Sequence, residues 1–279
     1  MVNILGIIFI CVKLSVIGID AKENENSNQE TDEFDEETDS FELDEIDAKA
    51  LEILNDELKG RWQIKETYEQ IRRADPDFYG FTSAYLYLSC YRQFSVSPNI
   101  SVLLKLAELD LKKGTSIGEL VFTCCQCCPK KEAVRSLIDL AKQGESQEKV
   151  VGRIFEFEQQ EGVNCLIATF RMAAVFEHVR ENAPPSVLQK FKHRWDETPA
   201  FLADIEETCI FLIRLARSAN LDLDKILNHT MANGKTLFHL AAHHSEKIAK
   251  YLLKENVKIN SITDDFFTPS LKVRFEKDF

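Results

Sequence analysis

Eight cysteines and six histidines give this 279-residue chain most of its scope for chemistry, and two stretches concentrate them. Cys124-Cys125-Gln126-Cys127-Cys128 holds two overlapping C-x-x-C patterns, a spacing that in other settings binds zinc or cycles a disulfide. A tetrahedral metal site needs ligands that converge. Four cysteines within five residues of one helix point around more than half its circumference, and no second C-x-x-C follows. Free cysteine also behaves as a small buried hydrophobe. The run therefore reads first as helix packing, with redox use and metal binding as the alternatives. His239 and His243 stand at the i, i+4 spacing of metal ligands, with His244 beside them. There is no G-x-S-x-G, P-loop, G-x-G-x-x-G or H-E-x-x-H. The expectation is a chain without catalytic residues, metal or cofactor.

The elements that must carry these residues are helices. Leu51, Leu54, Leu58 and Trp62 recur at helical spacing from Ile46 onward, and Ile64, Tyr68 and Ile71 continue the pattern to Arg73. Asp75-Pro76 ends it. Periodicity and breakers then predict helices at about 81–92, 98–109, 116–127, 130–142, 147–160, 164–172, 174–181, 185–194, 199–217, 222–229, 236–243 and 246–254. Gly144 is placed to end the fourth of these as a C-cap. Sustained period-2 alternation is missing, so the expected class is all-α with short extended turns.

One stretch specifies more. Asn233-Gly234-Lys235-Thr236-Leu237-Phe238-His239-Leu240-Ala241-Ala242, running on through Ile248 and Leu252-Leu253 to Ile259-Asn260, reads as a Gly turn, a helix, a tight turn, a second helix and a loop. Thr236 is an N-cap type, Ala241 and Ala242 allow close helix approach, and Ile248, Leu252 and Leu253 form a buried stripe. Asn256 stands where a left-handed residue should follow the second helix. This pattern resembles the ankyrin repeat, in which the His of the first helix has a structural role. Leu237 replaces the family's Pro, and the inter-helix turn is one residue short, which predicts the next Thr-Pro 32 residues on; Thr268-Pro269 stands there.

Weaker copies start at Gly80-Phe81-Thr82, Gly114-Thr115-Ser116 and Gly162-Val163-Asn164, with Asp77 ahead of the first, and Thr198-Pro199 lacks the Gly. The anchors 82, 116, 164, 198, 236 and 268 are separated by 34, 48, 34, 38 and 32 residues. The long interval is expected to hold an inserted helix around Gln147–Gln160. The implied architecture is a divergent ankyrin-like solenoid of stacked helix pairs over 76–279, with residues 46–75 as its N-terminal capping helix.

Charge is uneven. Residues 21–50 hold 13 Asp and Glu against Lys22 and Lys49, which accounts for −11 of the net −12. The body is near neutral and has no basic cluster, which argues against nucleic-acid binding. Residues 1–21 are apolar apart from a few positions and read as a secretory signal, although Lys13 interrupts the run. The same lysine argues against a membrane span. Residues 22–45 are expected to be a solvated, disordered acidic segment, or an acidic propeptide if the signal is cleaved. The chain is then secreted, and otherwise cytoplasmic. Seven cysteines would remain after cleavage, an odd number without framework spacing. Asn99-Ile100-Ser101 and Asn228-His229-Thr230 are glycosylation sequons, relevant only on the secretory path.

The function implied by the resemblance is non-catalytic binding of a protein partner by a monomer. Loop tips free of packing duties supply the candidate contacts: Lys235, His243 and His244, then Asp264, Asp265 and Phe266 on the next turn. Phe266, with Phe267 and Phe275, alternatively covers the open end of the core. A secreted effector or toxin-like protein, and a redox or metal protein built on Cys124–Cys128, are the competing classes.

Overall fold

The computed structural model describes residues 44–58, 80–90, 98–159, 162–170, 173–174, 198–255 and 257–259. The expectations for residues 1–43, Trp62 to Ile71, 185–194, Asn256, Asp264, Asp265, Phe266 and the 268 anchor lie outside them. The described residues are mostly helical, with one short hairpin, and the class is all-α. The chain divides into two compact units, residues 1–78 and 79–279.

In the first unit, α1 spans Glu45–Leu58. Asp44 caps it, its Oδ1 accepting the Asp47 N–H at 2.8 Å. Ala50, Leu54 and Leu58 are buried, one row at i, i+4 and i+8.

The second unit begins with α2 (Gly80–Cys90), α3 (Ile100–Lys112), α4 (Ile117–Cys127), α5 (Lys131–Ala141) and α6 (Gln147–Glu156). These bounds follow the sequence periodicity to within a few residues. A two-residue antiparallel hairpin, β1 (Glu158–Gln159) with β2 (Val163–Asn164), comes next, followed by helical backbone at 165–170. Then come α7 (Thr198–Ser218), α8 (Leu223–Leu227), α9 (Leu237–His244) and α10 (Glu246–Leu253). Packing runs along rows: α2 touches α4, while α3, α5, α7 and α10 each touch the next in that order.

Local physics explains the starts. Ser116 caps α4 in a reciprocal box: its hydroxyl accepts the Glu119 N–H at 3.1 Å, and the Glu119 carboxylate accepts the Ser116 N–H. Asn164 Oδ1 accepts the Ile167 N–H at 3.1 Å. Asp222 and Ser245 cap α8 and α10 in the same manner, at 3.0 and 3.2 Å. Gly80, Gly114, Gly162 and Gly234 all have left-handed backbone, with φ of 70, 96, 74 and 78°.

Four expectations need correcting. Thr82 is not the cap of α2; it lies inside the helix, and its N–H, with that of Phe81, is accepted by the buried Asp110 carboxylate at 2.7 and 2.9 Å. Thr198 does not open a helix pair, because α7 continues unbroken for 21 residues. Gly144 is not the C-cap of α5; Lys142 takes that position in right-handed conformation. The predicted 147–160 helix stops at Glu156, where Phe157 turns extended and the hairpin begins.

Candidate functional site

Among the described residues, α9, α10 and the loop before them carry the candidate contacts Lys235, His243 and His244. A bridge between Thr230 and Thr236 and the bond from Met231 N–H to Lys235 O, at 2.8 Å, close the loop before α9. His239 occupies the position that Glu119 fills in α4: its Nδ1 accepts the Thr236 N–H at 3.2 Å and lies 2.9 Å from the Thr236 hydroxyl. That fixes the ring to its own helix start, a structural use of the imidazole. Lys235 is half-buried in the loop and His243 is exposed at the far end of α9. His244 is half-buried, stacked on the fully buried Phe170 ring at 6.4 Å and edge-on to His243 at 4.5 Å. The expected exposed turn thus holds for His243, whereas His244 packs against the 165–170 helix.

A groove adjoins this corner, between α7 and α10, lined by Glu206, Ile210, His244, Lys247, Lys250 and Tyr251. Glu206 organises it. One oxygen accepts from the Ser245 hydroxyl at 2.6 Å and the other meets Lys247 Nζ at 3.0 Å, so a single carboxylate holds the cap and the first turn of α10. On the opposite side of α7, Asp204 pairs with Lys130 at 2.7 Å and Glu207 with Lys131 at 2.9 Å. Glu207 sits below its usual pKa and Lys131 above it, chiefly through their mutual hydrogen bond. Solvent screens the exposed Lys131–Glu207 pair, so its shifts say little about stability. The two pairs orient α7 more than they stabilise it. Sequence reasoning missed Glu206, because nothing local distinguishes it from its acidic neighbours on a long amphipathic helix.

The face of α4 is covered. Nearly all of α4 is buried, and α6 lies across it. At Gly118 a Cβ would meet Phe157 Cβ at 2.5 Å and the Arg153 carbonyl at 2.7 Å, so only glycine permits this approach. Phe122 and Phe157 meet edge-on above it at 5.4 Å.

Cys124, Cys125 and Cys128 are buried and Cys127 is half-buried; with Cys165 and Cys209, they form no disulfide among themselves. Cys165 and Cys209, far from the 124–128 run in sequence, are brought close to it by the fold. Both are fully buried and, with Cys124, near enough to Cys125 for a negative charge on any of them to disfavour its thiolate. Burial is the larger cause: it pushes the Cys165 thiol up to about 12 and those of Cys125 and Cys209 well above the ordinary range. A nucleophilic cysteine needs the opposite environment. Among the described residues no group of three His, Cys, Asp or Glu is arranged to hold a metal ion, and no helix is long and apolar enough to cross a membrane.

In comparisons with known proteins, no family model, no curated protein and no solved structure matches the chain.

Proposed function

We propose that the second unit is a non-catalytic protein-binding module of divergent, ankyrin-like helix pairs. The observation that carries this reading is the recurrence of one corner. Glycines 114, 162 and 234 adopt left-handed backbone two residues ahead of Ser116, Asn164 and Thr236, where the next helix starts, whereas the left-handed Gly80 opens α2 itself. Nearest-neighbour packing along α3, α5, α7 and α10 agrees with a stacked array. The buried, proton-holding cysteines weigh against thiol catalysis.

With α4 covered by α6, the partner surface favoured among the described residues is the α9–α10 corner: Lys235 and His243 at the tips, with the α7–α10 groove beside them. The test places a photo-crosslinking residue at Lys235 or at His243, and at Glu108 on the exposed side of α3 as the control. The expected result is one discrete adduct from the first two positions. The purified partner should then lose at least tenfold affinity for a Lys235→Ala, His243→Ala double variant. Equal labelling from Glu108, or unchanged affinity, would reject the α9–α10 corner as the binding surface.

A further inference from the structure

The loop that carries Lys235 is fastened to the β1–β2 hairpin through an imidazole. His229 Nε2 lies 2.7 Å from the Gly162 carbonyl oxygen and 2.6 Å from Glu158 Oε1. Both neighbours are acceptors, so this nitrogen carries a proton and donates to them. They belong to opposite arms of the turn: Glu158 lies on β1, and Gly162 stands directly before β2. Glycine suits that approach. It is left-handed at φ 74°, and a Cβ there would lie 3.2 Å from both Met231 Cα and the Thr230 carbonyl oxygen. The loop is closed by its own bonds as well. Thr230 bridges Thr236, the Met231 N–H donates to Lys235 O at 2.8 Å, and the Gly234 N–H donates to Met231 O at 2.9 Å. At its start, the Asn228 amide donates to Asp224 Oδ1 at 2.9 Å and accepts the Lys258 N–H at 2.6 Å. These internal bonds stiffen the loop, and those of His229 set where it stands beside the hairpin.

We infer that His229 is a positioning residue for the partner surface: it locks the loop to the hairpin, so that the Lys235 tip is presented in one fixed place. This rests on the reading of Lys235 as a partner contact. A ring that meets both arms of a turn resists sliding and rotation of the loop together, which a bond to one arm does not. His229→Gln keeps the chemistry, because its side-chain amide carries two donor hydrogens for the same two oxygens. His229→Ala removes the donor and leaves the loop with its internal bonds alone.

The test follows amide hydrogen exchange at Met231 and Gly234 in the full chain, together with the adduct yield of a photo-crosslinking residue at Lys235. His229→Ala should speed both amides about tenfold and lower the adduct yield, while α3 and α5 exchange as before. His229→Gln should restore both readouts. Unchanged exchange at Met231 and Gly234, an equal rise in α3 and α5, or no recovery with His229→Gln would overturn the inference. So would an adduct yield that ignores His229→Ala although the loop exchanges faster. If the parent chain gives no adduct from Lys235, the partner reading falls by itself, and exchange still decides whether His229 holds the loop.

Discussion

A Cβ built on Gly80 would lie 2.3 Å from Oδ1 of Asp110, so the glycine and the carboxylate depend on each other. Gly80 is also left-handed, at φ 70°. Gly80→Ala therefore meets both a backbone penalty of about 1–2 kcal/mol and a clash with the group that caps α2. Gly114 has φ 96° but nothing within 4 Å of a built Cβ. Urea unfolding should show a clearly larger loss for Gly80→Ala than for Gly114→Ala; equal losses would remove the Asp110 contact from the explanation.

Asp110 also sets a pH dependence. Burial raises its carboxyl above the ordinary 3.8, outweighing the hydrogen bonds from Thr82 and Phe81 and the nearby Lys113. The folded chain then holds this proton more tightly than the unfolded chain. Its contribution to stability is full below the ordinary value and is lost as pH rises through the raised one. Asp110→Asn should flatten that part of the stability–pH curve. At neutral pH it should cost about 1–3 kcal/mol, because the new amide NH2 leaves one backbone N–H unaccepted. An unchanged slope would remove Asp110 as its source.

The thiols provide a third check. Treating the native protein with a thiol reagent at pH 8 should label none of Cys124, Cys125, Cys165 and Cys209, with Cys127 the first of the described cysteines to react. Denaturant should release the rest together. Rapid native labelling of Cys125 would revive a redox role.

Thr208, fully buried on α7, donates its hydroxyl to the Pro129 carbonyl at 2.6 Å, fastening α7 to the turn between α4 and α5. Thr208→Val preserves the shape and strips the donor, and should destabilise by about 1–3 kcal/mol. A neutral result in thermal or urea unfolding would mean the carbonyl finds another partner.

In the terminal pair, Leu252→Ala should cost about 2–5 kcal/mol through a cavity, and Thr236→Ala about 1 kcal/mol through the helix start. Both sites are buried. Hydrogen exchange should speed up first in α9 and α10, because stacked elements touch chiefly their neighbours. Loss of protection spread evenly back to α2 would contradict an array.

Much was legible in the sequence because it is local chemistry. Helix periodicity placed α3 to α5, α7, α9 and α10, and the Gly-x-Ser and Gly-x-Thr corners at 114–116 and 234–236 announced both the turn and the cap. These depend on residues within a few positions of each other, so no tertiary contact is needed to specify them. Tertiary structure decided the rest. Asp110 caps a helix that starts 30 residues earlier, Gly118 admits α6 across α4, Glu206 binds the start of α10, and Cys165 and Cys209 join Cys125. Each is a meeting of chain segments far apart in sequence. Their geometry follows from how buried faces stack, and a residue's own neighbours carry no trace of it.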